Sequence, residues 1–345
     1  MSYTAIDKGS LYQNQVLYTG DDSTQAITGV GFQPDLWWNK SRSGTHSAGV
    51  HCLYDAVRGT TKRLQSNATT AEATVSGVTA FGADGVTLGS ENQSNGGSTN
   101  YVGWNWLAGN STSTNEDGSV NSTVSVNTTS GFSIAKFVGT GSALTTGHGL
   151  GSVPKMIIAR NIDEGANWNV YHSSLGNTKA VYLNTTDAET TSSSWNDTTP
   201  TSSLVSIGAV GDVNTSTKNI ILYCFAEKQG YSKISSYPGN GNADGTFINT
   251  GFRPAWVCIK HSNSAGDYWQ ISDNKRDPYN GVYHRLFPNV VDAEATGLNP
   301  NIEFLSNGFK CRTASSATNA VGTYVYAAFA ENPLVTSTGI PATAR

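Results

Sequence analysis

The stretch "GFQPDLWWNK" (31–40) sets two tryptophans between a proline and a lysine. It returns in altered spelling as "GSVPKMIIAR" (151–160) and "GFRPAWVCIK" (251–260). Glycine supplies a turn, proline fixes φ and withholds a ladder hydrogen bond, and the four or five apolar residues that follow extend as a strand. Unbroken apolar runs of this kind predict burial on both faces. The basic residues that close them, Lys40, Arg160 and Lys260, are expected to end each strand as charged gatekeepers against pairing out of register.

Working outward, the three prolines stand 120 and 100 residues apart, the length of a small domain. An aromatic followed two residues later by glycine precedes each of them by 16 or 17 residues, in "YTGDD" (18), "FVGTG" (137) and "YPGNG" (237). An apolar run ending in an aromatic closes each copy. Trp106, Phe225 and Phe329 lie 72, 71 and 75 residues after their prolines. Helix formers are scarce and no window carries a 3.6-residue period, whereas Thr, Val, Tyr and Trp alternate with Gly, Asn and Ser clusters. The expected fold is all-β, with three tandem repeated β-sandwich domains of jelly-roll or lectin-like type. Their expected bounds are 16–109, 131–233 and 234–333, with an N-terminal attachment segment at 1–15 and a C-terminal tail at 334–345. Residues 110–130 read as a linker by composition, although the alternation in "SVNSTVSVN" also suits a hairpin with "GFSIAKFVG".

Composition narrows the function classes. Only 13% of residues are charged, against about 25% in an ordinary soluble domain, so solubility rests on hydroxyls and amides. With a net charge of -4 and no basic run, nucleic acid is not an expected partner. No secretory signal opens the sequence and no 18-residue apolar stretch occurs, so membrane insertion is not expected and synthesis in the cytoplasm is. The four cysteines, Cys52, Cys224, Cys258 and Cys311, are spread singly and read as free, mostly buried thiols.

Signatures of catalysis are missing where they were sought: no GxSxG, no P-loop, no HExxH and no i, i+4 histidine pair. No catalytic residue and no cofactor is therefore expected. "NGNADG" (240–245) offers oxygen ligands at Asn240, Asn242 and Asp244 in the manner of a calcium loop. It has one carboxylate, and Gly251 stands where the twelfth-position Glu belongs, so an Asx and glycine turn is the preferred reading. Asp55 with Arg58, matched by Asp273 with Arg276, reads as a partly exposed turn-closing ion pair. Trp168, Trp195, Trp269, Tyr279 and Tyr283 lie in amide-rich surroundings that suit a surface patch, where a ring stacks on the CH face of a sugar or docks a protein. Core packing is the competing reading for each of them.

Taken together, "LYTGDDSTQAITGVGFQPDLWWNKSRS", "DAVRGTTKRL", "GHGLGSVPKMIIAR", "GYSKISSYPGNGNADGTFINTGFRPAWVCIK" and "YVYAAFAENP" resemble a family of repeat-bearing virion proteins of tailed, mostly marine, bacteriophages, over roughly 16–333. The resemblance implies a virion component made in the host cytoplasm, whose partners are other virion proteins and a host surface glycan or protein, and which forms homo-oligomers, trimers among them. It supplies no site residues. The first expected role is a tail-fibre or adhesin-like subunit contacting the host surface, and the alternative is a capsid or tail decoration protein. A polysaccharide-degrading enzyme is the third, and would need a carboxylate pair in one cleft.

Overall fold

A computed structural model describes residues 4–297 and 300–331. The expected C-terminal tail at 334–345 lies outside them, as do residues 1–3 of the expected N-terminal segment. Strand accounts for 45% of the chain and helix for 3%, so the fold is all-β. The only α-helices among the described residues are single turns at Asn92–Asn95 and Gly211–Asn214.

One pairing order recurs three times. In the first third, β1 (Gln13–Thr19), β2 (Leu36–Gly44), β3 (Cys52–Asp55) and β4 (Thr99–Trp106) pair as β1-β4-β2-β3, all antiparallel. A hairpin follows, β5 (Ser113–Asn115) with β6 (Ser122–Asn127). The second third repeats the order with β7 (Phe132–Val138), β8 (Pro154–Asn161), β9 (Asn169–His172) and β10 (Asn219–Ala226), paired β7-β10-β8-β9. The last third has β11 (Ser232–Gly239), β12 (Pro254–His261), β13 (Gln270–Asp273) and β14 (Gly322–Ala330), paired β11-β14-β12-β13. A smaller antiparallel sheet accompanies each set, for instance Gln25–Ile27, Gly85–Leu88 and Val78–Gly82 in the first. The alternating "SVNSTVSVN" supplies β6, which adds to the free side of β7, as the hairpin reading expected.

Register ties the three sets together. The closing aromatics Trp106, Phe225 and Phe329 stand opposite Leu36, Met156 and Trp256, the second residues after the three prolines. Their rings meet one another at centroid distances of 6.3, 5.8 and 6.0 Å, a nearly equilateral triangle. Three separate sandwich domains would each close a core of their own. Two clusters follow that division, one drawn from residues 16–88 and one from 124–226. The largest does not, because it joins buried side chains of all three sets around the aromatic triangle.

Backbone hydrogen bonds close the sets into a ring. Glu72 N–H donates to Ile162 O at 2.8 Å, Glu189 N–H to Ser262 O at 2.6 Å, and Glu294 N–H to Arg42 O at 3.0 Å. The first set thus meets the second, the second the third, and the third the first.

The gatekeeper reading of Lys40, Arg160 and Lys260 is corrected by their burial: each is 0% exposed, and each strand runs on past its cation. Their charge is solvated by carbonyl oxygens instead of water, which is what a buried cation requires. Lys40 Nζ donates to Ser41 O and Ser47 O. The Arg160 guanidinium donates to Ala68 O, Thr69 O and Thr70 O of the neighbouring set and lies 4.9 Å over the Trp168 ring. Lys260 Nζ reaches Thr186 O at 3.2 Å, again in a neighbour. Burial pulls both lysine ammonium groups down to about 8.

Candidate functional site

One departure from threefold repetition is at the start of β1. Gln13 pairs with Trp106 as Phe132 pairs with Phe225 and Ser232 with Phe329. Two residues on, Gln15 occupies the place of Ile134 and Ile234. The second set fills its copy with hydrocarbon, and Phe132 stacks on Phe225 at 4.8 Å. The first set puts amides there, both 1% exposed. An amide at a core position costs free energy unless every polar atom is paired, so the fold alone does not account for this pair.

The amides form a chain. Gln13 Nε2 donates to Gln15 Oε1 at 3.0 Å, and Gln15 Nε2 donates to Ala255 O at 3.1 Å and to Asn274 Oδ1 at 2.6 Å. The first set is thereby bonded to the third across the ring. Gln13 Oε1 has no partner although it is closed off from solvent. The chain borders a cleft of about 150 Å³ whose walls include Ser10, Asn14, Lys275 and Glu331. This combination of neutral amides on the wall and a cation at the rim suits recognition of a polar, uncharged group.

Of the aromatic residues singled out from sequence, three lie inside. Trp168 and Trp195 are 0% exposed and Trp269 is 3% exposed, so none offers a ring face to a ligand, and core packing is the reading that stands. Trp168 Nε1 donates to Gln65 O at 2.7 Å and Trp269 Nε1 to Tyr182 O at 2.9 Å, so both indoles bind the ring together. Tyr283 is half-buried, and Tyr279 alone is open, at 83% exposure. Asn240 and Asn242 make two consecutive Asx turns, each side-chain oxygen accepting the N–H two residues on, of Asn242 and Asp244 in turn. Asp244 pairs with Lys310 Nζ at 2.6 Å. No cluster of three metal-ligating side chains exists among the described residues.

The acid and arginine pairs are not partly exposed. Asp55 and Arg58 are buried, joined at 2.5 Å, and Asp55 also accepts from Tyr223 Oη of the next set at 2.7 Å. Asp273 and Arg276 are joined at 2.6 Å, and Asp273 accepts from Trp104 Nε1 at 2.9 Å. In the second set His172 and Leu175 stand at these places. His172 Nδ1 accepts the Ser174 N–H, and Nε2 lies 3.2 Å from Tyr326 O of the third set, so a neutral imidazole does the work of the carboxylate. Burial pulls its pKa down to about 4. All four cysteines are free and buried, and burial holds Cys52, Cys224 and Cys311 up at about 12, which makes them inert.

Sequence reading passed over Gln13 and Gln15. The signal was present in the contrast between "QNQVLYT" and "FSIAKFV", but aligning them needs the strand register.

No helix among the described residues is long and apolar enough to cross a membrane. No curated protein and no solved structure matches the chain. A family whose description reads "Domain of unknown function" (DUF7483) matches residues 8–333. That span takes in most of the chain, and the protein belongs to the DUF7483 family.

Proposed function

We propose that the protein is a non-enzymatic structural component of a tailed-phage virion, a capsid or tail decoration protein built as three copies of one β-sandwich module. The observation that carries this reading is the amide-lined cleft at Gln13 and Gln15, a site suited to holding a partner. Its buried wall is amide, and its two ionisable side chains, Lys275 and Glu331, stand at the rim, with Glu331 held by Arg253. The virion setting comes from the sequence resemblance. Binding proteins need shape and hydrogen bonds, whereas glycoside hydrolysis needs two carboxylates on one bond.

A second reading, host attachment as a tail-fibre or adhesin-like subunit, is favoured by Tyr279 and by the half-exposed pair Tyr268 and Phe287, whose rings lie 5.2 Å apart. The burial of Trp168, Trp195 and Trp269 leaves it with less support than decoration.

Imaging of purified particles with antibody against this chain tests the proposal. Label over the capsid lattice or tail is the expected outcome; absence of the chain from washed particles contradicts it. Incubation of pure protein with host polysaccharide should release no new reducing ends, and release would overturn the non-enzymatic reading.

A further inference from the structure

We propose that the outer edge of β1 is a seat for an extended strand of another polypeptide, which would join the sheet beside Gln13–Leu17 as β6 joins β7 within this chain. The proposal rests on the reading of the protein as one that docks on neighbours, and names what docks.

The chain carries its own template. In the second set, β6 lies along the outer edge of β7, with Asn127 opposite Phe132, Ser125 opposite Ile134 and Thr123 opposite Lys136. Ser125 Oγ also reaches Asp35 Oδ1 of the first set at 3.2 Å, so β6 fills the gap between neighbouring sets. The corresponding gap beside β1 lies between Gln13–Gln15 and Ala255, because Ala255 follows Pro254 as Asp35 follows Pro34. The 150 Å³ cleft opens there beside Gln13–Gln15, and the Gln15 amide already spans to Ala255 O at 3.1 Å, a contact that an incoming strand displaces.

Its edge is ready for a partner. Tyr12 O accepts from Leu107 N–H, and Gly20 N–H donates to Thr99 O, so even-numbered backbone groups face β4. By the alternation of an antiparallel ladder, Gln13, Gln15 and Leu17 face outward. The Gln15 N–H is held only by the neighbouring Asn14 Oδ1. The Leu17 side chain is 43% exposed on the same stretch, without a charge, proline or bulge to discourage pairing. The third edge of this type is closed. What distinguishes β11 is Pro238, which removes an outward donor that β1 keeps at the matching end of its edge.

The cleft also specifies the strand. Opposite Gln13, in the place of Asn127, it takes an amide or hydroxyl residue, as the template strand has there. Opposite Gln15, in the place of Ser125, it takes a small hydroxyl residue. The partner is thus an uncharged strand alternating Ser, Thr or Asn with β-branched residues, bound by main-chain hydrogen bonds.

The test uses the intact protein and a synthetic peptide of residues 120–129, "VNSTVSVNTT". Saturable binding is expected, with hydrogen exchange at the Leu17 amide slowed at least tenfold in the complex. Leu17→Pro removes one outward donor and leaves the ladder to β4 intact, and should weaken binding at least tenfold with an unchanged melting temperature. Leu17→Lys serves as an independent edge block with the same expectation. Absence of binding overturns the proposal, and so does binding that neither variant weakens. A Leu17 amide already protected in the free protein also overturns it, since the chain itself would then hold the seat. Failure here leaves the virion reading standing, whereas absence of the chain from particles removes that reading and leaves the seat untouched.

Discussion

At the scale of single residues, His172 shows how one fold position is satisfied by different chemistry. Asp55 and Asp273 cap the turn after their strands as carboxylates and hold a buried arginine, while His172 caps it with Nδ1 and has Leu175 where the arginine would be. The imidazole works only when neutral. An unfolded histidine takes its proton near pH 6.5, and the buried one resists to about 4, so between those values the unfolded chain binds more protons and stability falls as pH drops. The loss expected from this residue is about 3 kcal/mol by pH 4. Urea unfolding at pH 7 and pH 4.5 should show a steeper decline for the native protein than for His172→Asn; equal slopes would place the acid sensitivity elsewhere. Asp55→Ala leaves the buried Arg58 guanidinium with Glu72 as its remaining acidic partner and Tyr223 Oη without its acceptor, and should cost about 3 kcal/mol, read in the same assay. The presence of the acid and arginine pairs was legible in sequence. Their burial was not, because the groups that enclose them, Tyr223 and Trp104, come from other repeats, 168 and 169 residues away.

At the scale of elements, the Pro-led strands were readable because their apolar runs, turn glycines and spacing all agree. What misled was the cation at each run's end. A lysine after four apolar residues reads as a surface stop, and nothing local tells that loop carbonyls wait beyond it. For Arg160 those carbonyls belong to residues 68–70. Arg160→Met keeps the stem and removes the donors, so it should cost about 2–4 kcal/mol through carbonyls left bare. Hydrogen exchange should rise in residues 66–72 ahead of the rest of the chain, and an unchanged loop would show that the cation is dispensable there. The amides of β1 were missed for a related reason. Their meaning lies in a comparison with Phe132 and Ile134 that becomes visible only when the strands are in register.

At the scale of the whole molecule, spacing revealed three copies but not how they meet. Separations of 120 and 100 residues fit beads on a string as well as a closed ring, since inter-repeat contacts leave no period of their own in the sequence. The aromatic triangle and the cyclic backbone bonds decide for the ring. Trp106→Ala, which opens a cavity where all three sets converge, should cost about 3–5 kcal/mol and lower the melting temperature of the entire protein, detected equally by near-ultraviolet and far-ultraviolet dichroism. Loss confined to one third of the signal would show that the core is divided.

The ring on a common core is the claim that places the β1 cleft between the first and third sets, and scanning calorimetry tests it most directly. A shared core predicts one transition whose calorimetric and van't Hoff enthalpies agree. Two or three resolved transitions, each with the enthalpy of about 100 residues, would contradict it.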